Sequence, residues 1–357
     1  MKRFFILACL LTGTFVAQRT FACTGITLHS VNNHPVTART IEWAATPLHT
    51  MYVVVPRGQA QQSILPDGSM NGKRFTAKYG YVGIAVEETE FIMEGINEAG
   101  LGAGLFYFPQ YGEYMPYDAA LKQQSISDMQ VVAWILSNFA SINQLQAALP
   151  QIRIISTDPR ASTVHWRITE ATGRQVVLEI INQRIQLYEN PLGVLTNSPE
   201  FTWHLTNLNN YVNLFPGDAP DITLGSATLR HIGGNSGFRG IPGDATSPSR
   251  FVRATFYRAT APEQPTAFDA VKQCFHILNN FDIPIGIEHR KGEGPKMPSA
   301  TQWTSAIDLT HRKVYFKTMH NNTIRCIDLA KTDFSRVKYS ATHMDKQKQQ
   351  PVVHIKI

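Results

Sequence analysis

The sequence predicts a layered α+β domain built on antiparallel sheets. Strand-like alternation opens the chain after residue 23 and returns between and after two blocks of helical periodicity. Strands, helices, strands, helices and strands therefore follow one another, an order that suits stacked antiparallel sheets better than a doubly wound parallel sheet. The 357 residues are enough for one large domain or two small ones. No internal repeat and no low-complexity linker divides them.

The first element is a leader, residues 1–22. Lys2 and Arg3 form a short positive region, and Phe4–Val16 is a largely apolar stretch. Gln18 to Ala22 is more polar and ends on a small residue. That is the three-part layout of a secretory signal. The apolar stretch is shorter than the ~20 residues a transmembrane helix needs, and no other stretch approaches that length, so no stable membrane insertion is expected. A buried N-terminal hydrophobic segment is the alternative. A lipoprotein signal is a rival, but Thr20 stands where such signals usually place Leu, and bulky Phe21 precedes Ala22. Cleavage after Ala22 would leave Cys23 first, with a thiol and a free α-amine on one residue.

The remaining elements follow in order. Period-2 alternation predicts strands at Thr24–Ser30, Met51–Pro56, Ser162–Ile168, Val176–Ile181, Trp303–Leu309 and Arg312–Lys317. Gly193 to Pro199 reads as a strand running into a turn. Helical spacing predicts helices at Asp128–Phe139 behind an N-cap at Ser127, and at Ile142–Leu149 behind Ser141, stopped by Pro150. Two more are predicted at Ser249–Ala261 and Thr266–Phe281. The division expected is a leader 1–22, a domain 23–340 and a polar tail 341–357. The tail's last residues, Val352–Ile357, would either add an edge strand or hang free.

Composition excludes several classes. Lys2, Arg3 and Arg19 leave with the leader and no acid does, which brings the formal charge from +6 to +3. No basic run appears, so no nucleic acid is implied. There is no CxxC, no Cys/His metal spacing and no HExxH, so no metal and no cofactor is expected. After loss of Cys9 the chain keeps Cys23, Cys274 and Cys326. Cys274 and Cys326 either pair or are buried, with a core position on a helix the better reading for Cys274; either way Cys23 is left as a reactive thiol. The histidines His165, His204, His276 and His289 are scattered outside any nucleophile-partner motif. A papain-like Cys/His pair therefore has no support.

The chemistry converges on Cys23. Hydrolysis of an amide is eased by a covalent intermediate, and thiolate is a strong nucleophile near neutral pH. An α-amine titrates at about 7.7–8.0 and a thiol at about 8.5, so the amine can take the thiol proton and return it to the leaving group. A guanidinium nearby favours the thiolate, and the tetrahedral oxyanion needs fixed donors. Four segments accompany the cysteine. Thr37 to Trp43 follows a turn at Asn32–Pro35 that brings Arg39 back towards Cys23. Glu94 to Leu101 leads into Gly102 to Pro109. The other two are Gly193 to Pro199, and Ile241 to Asp244 before Ser247 to Arg253.

In this order and spacing the segments resemble the choloylglycine hydrolase family, bile salt hydrolases and penicillin V acylases, within the N-terminal nucleophile hydrolases. The likeness spans about residues 23–330. It implies a four-layer αββα sandwich with antiparallel sheets between helix layers. It implies Cys23 as nucleophile, Arg39 beside the thiol, Asn197 as a side-chain oxyanion donor and Arg250 as the second arginine. Glu42 stands where most members carry aspartate. The second oxyanion donor is a backbone N–H after Gly104-Leu105, with Phe106 the first choice and Tyr107 the second. Arg253 reads as structural. Trp43, Phe108, Tyr111 and Tyr114 fall where the family's pocket loops lie.

The resemblance further implies a small-molecule amide substrate with a bulky apolar acyl group: penicillin V, a conjugated bile salt or an N-acyl homoserine lactone. Export, Glu42 and the Phe-Tyr-Phe run liken the chain to the exported Gram-negative branch, hence periplasmic or secreted. A conjugated bile salt hydrolase is the alternative, and a non-catalytic lipid-anchored binding protein is the alternative of another class. A homotetramer is expected, with Leu205, Leu208, Tyr211, Leu214 and Phe215 either docking on a neighbour or packing in their own core.

Overall fold

The computed structural model describes residues 21–43, 48–158, 162–287, 300–346 and 348–356. The expected leader, apart from its last two residues, and His289 lie outside them. Fourteen strands among the described residues build two large sheets. They are β1 (Phe21–His29), β2 (Pro35–Trp43), β3 (Thr50–Val55), β4 (Tyr81–Val86), β5 (Ile92–Asn97), β6 (Gly102–Tyr107) and β7 (Val164–Thr169). Then come β8 (Gln175–Ile181), β9 (Arg184–Glu189), β10 (Val194–Leu195), β11 (Ala300–Asp308), β12 (Lys313–Thr318), β13 (Asn321–Asp328) and β14 (Ser340–His343). The first sheet runs β10-β1-β2-β11-β12-β13 and the second β9-β8-β7-β6-β5-β4-β3-β14. Every neighbouring pair in both is antiparallel.

The described residues hold five α-helices: α1 (Val131–Asn138), α2 (Ile142–Ala148), α3 (Phe201–Asn207), α4 (Ser247–Thr260) and α5 (Ala267–Leu278). The long helices α4 and α5 lie on β1, β2 and β11, while α1 lies on β5 and β6. β1 touches β6 across the gap. The result is helices, sheet, sheet, helices, the four-layer αββα order. Caps start the helices as the sequence suggests. Ser141 Oγ accepts from Gln144 N–H at 3.3 Å and Thr266 Oγ1 from Asp269 N–H at 3.1 Å. Ser127 Oγ accepts from Met129 N–H at 3.3 Å, but opens a 3₁₀ turn that runs into α1. Pro248 sits in the first turn of α4, where its missing N–H costs nothing.

Several segments differ from expectation, among them β9 and β13, which were not foreseen. Strands β4, β5 and β6 show no alternation in sequence, because both their faces are buried between the other sheet and α1. Helix α3 was not foreseen at all. The tail is not a separate segment from residue 341, because Ser340–His343 pairs with Thr50–Val55 as edge strand β14. Val352, Val353 and Ile355 beyond it are exposed and outside any strand.

The β1–β2 hairpin sets the site. Asn33 closes its turn at φ 56°, a left-handed conformation Asn tolerates, and its N–H reaches Ser30 O at 2.7 Å. The register then places Cys23 opposite Ile41, Gly25 opposite Arg39 and Ala22 opposite Glu42. Residues directly opposite share a face. Cys23, Gly25, Arg39 and Ile41 therefore face the second sheet, and Thr24, Thr40 and Glu42 face the helices.

Candidate active site

Cys23 is 2% exposed. Its sulfur accepts from Arg39 Nη2 at 2.7 Å and from the backbone N–H of Tyr107. Burial pushes the thiol above its ordinary value, Arg39 draws it down, Glu42 raises it, and the Tyr107 N–H and Arg250 lower it. Residue 22 precedes Cys23 here, so its nitrogen is a peptide N–H standing where a processed chain would carry the α-amine. That N–H donates to Asn197 Oδ1 at 3.0 Å.

Arg39 is fully buried and its donors are committed. Nε–H reaches Thr40 O at 3.3 Å, and Nη1 reaches Met93 O at 3.2 Å and Leu105 O. These anchors leave Nη2 aimed at the sulfur. Arg250, on the first turn of α4, holds the other side. Its Nη1 donates to Cys23 O and to Thr24 Oγ1 at 2.9 Å, and its Nη2 to Asn197 Oδ1 at 2.7 Å. Arg253, one turn on, binds Pro242 O at 2.6 Å and Asp244 O at 3.3 Å.

Asn197 follows β10, which pairs with β1. Its Nδ2 donates to Tyr107 O at 2.7 Å. The structure thus brings Cys23, Arg39, Asn197 and Arg250 together. The backbone N–H that reaches the sulfur is that of Tyr107, the second of the two residues expected to supply the backbone oxyanion donor. The side chain of Phe106 points inward instead, its ring 4.1 Å from Arg39 Cζ.

Glu42 is buried on the helix face, the opposite face from the thiol. Its Oε1 accepts from Thr301 Oγ1 at 3.2 Å. Its effect on the thiol is through space, and its backbone partner in the ladder is Ala22, the residue a processed chain would lack. The expected pocket aromatics do not form one open wall. Trp43 and Phe108 are buried, with Phe108 stacked on His165 at 4.5 Å. Tyr114 Oη accepts from Val164 N–H at 2.7 Å at the edge of the core. Tyr111 alone of the four is exposed, at 40%.

Two histidines do serve the site, though not as bases on the thiol. His204 Nε2–H donates to Asn197 O at 2.9 Å while its ring stacks on Phe251. Burial lowers His204 to about 4, so the ring is neutral at pH 7. His165 Nε2–H donates to Thr196 O at 3.2 Å, and its Nδ1 lies 2.9 Å from Glu179 Oε1. Together they pin the two residues of the turn that presents Asn197. Cys274 is buried on α5 and Cys326 is exposed; both are free, so no disulfide joins them.

Residues 23–348 match the family model for linear amide C–N hydrolases of the choloylglycine hydrolase family. The chain belongs to the choloylglycine hydrolase family. It is a hydrolase acting on the carbon–nitrogen bonds of linear amides. The bile salt hydrolase/transferase of Clostridium perfringens is 34% identical over 284 residues, 76% of this chain and 85% of that protein. The penicillin V acylase of Pectobacterium atrosepticum is 25% identical over 365 residues, 93% of this chain and 88% of that one. A crystal structure of the conjugated bile acid hydrolase of C. perfringens superposes with a TM-score of 0.79 at 29% identity, over 94% of this chain and all of that one. That protein was solved as a cysteine-to-alanine variant and as an arginine-to-leucine variant; the two positions lie sixteen residues apart, the separation of Cys23 and Arg39.

Proposed function

We propose that the chain is exported to the periplasm or beyond, loses residues 1–22, and then uses Cys23 as nucleophile against an amide with a bulky apolar acyl group. The observation that carries this reading is the buried thiol held 2.7 Å from Arg39 Nη2 on the residue whose nitrogen meets Asn197 Oδ1 at 3.0 Å. In the proposed cycle the α-amine takes the thiol proton and sulfur adds to the amide carbonyl. The oxyanion accepts from Asn197 Nδ2–H and Tyr107 N–H. The C–N bond then breaks as the ammonium protonates the leaving amine. Water, deprotonated by the same amine, cleaves the thioester and restores the thiol. Glu42, beside the position Ala22 vacates, would hold the ammonium form.

Penicillin V and N-acyl homoserine lactones are the substrates proposed first, as for the exported branch. Conjugated bile salts are the second reading, favoured by the 34% identity to a bile salt hydrolase/transferase against 25% to a penicillin V acylase.

A panel of penicillin V, glycine- and taurine-conjugated bile salts and acyl-homoserine lactones, read by released amine, tests this. Turnover of at least one, by protein whose intact mass begins at unmodified Cys23, is expected. Failure of all, or a diacylglyceryl adduct on Cys23, would overturn the reading.

The assembly proposed is a homotetramer. Leu205, Leu208 and Leu214 pack into their own subunit. Phe215 of the same set is 39% exposed, and more apolar surface lies beside it. Val212 is 82% exposed, Ile232 90%, and the small hairpin Ile222–Leu224/Ala227–Leu229 exposes Ile222, Leu224 and Leu229. Exposed apolar side chains of this kind support an interface on this segment. Replacing Val212, Leu224 and Ile232 by Ser or Glu is expected to shift sedimentation from tetramer to smaller species; unaltered sedimentation would reject this hairpin as the interface.

A further inference from the structure

Two arginines cross the gap between the sheets in opposite directions. Arg39 leaves the first sheet and binds the carbonyls of Met93 and Leu105 in the second. Arg167, on β7 of the second sheet, binds Ile26 O at 3.3 Å and Ala38 O at 3.2 Å in the first. Glu94, on β5, lies between them. Its Oε1 accepts from Arg167 Nη2 at 2.9 Å, and its Oε2 lies 3.6 Å from Arg39 Nη1. The Phe106 ring fills the space between the guanidinium groups, 4.1 Å and 5.3 Å from their Cζ atoms. All three charged groups are buried.

The backbone is cut away to admit them. A Cβ at Gly104 would come 2.1 Å from Glu94 Oε2, and one at Gly25 would come 2.8 Å from Arg167 Nη1 and 2.7 Å from the Phe106 ring. Two cations and one carboxylate leave a net charge of +1, and an isolated buried charge is unfavourable. The thiolate of Cys23, 2.7 Å from Arg39 Nη2, would bring the cluster to neutrality.

We propose that Glu94 and Arg167 are positioning residues: Arg167 neutralises Glu94, and this leaves the charge of Arg39 to the Cys23 sulfur. The proposal rests on Cys23 being the working thiol. The other groups facing it are Glu42 from the helix side of β2, Arg250 from α4, the Tyr107 N–H and the α-amine of the processed chain. His165 is turned to Glu179 and Thr196, and Cys274 lies beyond Arg167. None of these changes in the variants below.

Charge then dictates opposite signs. Glu94→Gln raises the cluster to +2 and lowers the pH at which the thiol ionises. Arg167→Gln brings it to zero and raises that pH. Loss of packing alone would move both the same way or neither. The measurement is the pH dependence of iodoacetamide alkylation of Cys23, located by peptide mass mapping, in protein beginning at Cys23. A Cys326→Ala background removes the exposed thiol. Because the α-amine titrates with the thiol, the midpoint belongs to the pair.

A shift of about one pH unit in each direction is expected, roughly ten-fold in alkylation rate below the midpoint. Arg167→Lys should stay near the parent protein. Shifts of the same sign, or no shift in folded protein, would overturn the proposal. If Arg167→Gln does not fold, Glu94→Gln decides alone: a fall supports the proposal, and a rise or an unchanged midpoint rejects it. Alkylation needs no substrate, so this result is separable from the nucleophile reading, which fails instead if Cys23→Ser retains full amide hydrolysis.

Discussion

A single residue left in front of Cys23 is expected to abolish amide hydrolysis, by roughly 10³-fold or more, the scale of a lost general base with its nucleophile left unactivated. The reason is electronic and steric at once. A peptide nitrogen has no lone pair to accept the thiol proton, whereas an α-amine titrating at about 7.7–8.0 does. The preceding residue also occupies the ladder position opposite Glu42. Its removal opens the approach to a nitrogen that already meets Asn197 Oδ1 at 3.0 Å. The comparison is kcat/KM for the panel's turned-over amide, using protein that starts at Cys23 and protein that starts one alanine earlier, with matched circular dichroism. Activities within three-fold of each other would remove the α-amine from the mechanism.

Asn197→Asp is expected to lower kcat by about 10²–10³-fold with little change in KM, the usual scale for one oxyanion donor. The substitution is informative because Asn197 works through two atoms. Oδ1 accepts from the Cys23 nitrogen and from Arg250, and an aspartate keeps both contacts. Nδ2 is a donor whose place an ionised carboxylate cannot take; there a second oxygen would face the Tyr107 carbonyl. Steady-state kinetics with a melting curve for each variant separates the roles. If Asn197→Asp holds its kcat while Asn197→Ala loses it, Asn197 acts only as an acceptor that places the nucleophile. If the melting temperature falls with kcat, the turn between His165 and His204 has been disturbed instead.

Much of this site was legible because its signals are local. The separation of Cys23 and Arg39 spans one hairpin, and its turn is written in Asn32 and Asn33. Asn197 and Arg250 each stand in a short motif at an element boundary. The Glu94–Arg167 pair was not legible, because Arg167 sits in an alternating strand and reads there as an ordinary outward residue. In a strand buried on both faces, the polar half of the alternation points inward too. Gly25 and Gly104 carried the missing signal, since glycine inside a strand often marks close approach of another group. That Tyr107 rather than Phe106 reaches the sulfur turns on one residue of position, because successive backbone N–H groups of a strand point to opposite edges. The aromatic cluster expected to wall a pocket proved divided between core and surface, a distinction that hydrophobicity alone does not encode.

The two glycines also bear on how freely this chain can change. Tolerance is usually ranked by size and polarity, and by that ranking a strand glycine is an easy position to fill. Here the missing side chains are themselves part of the electrostatics. Gly25 and Gly104 reserve volume, and that volume is occupied by charge belonging to other residues. Even alanine at either position would press on an ionised group buried between two sheets. The least chemical residues near the thiol are therefore among the hardest to replace, and a design that repacked this layer for stability would begin by silencing the sulfur.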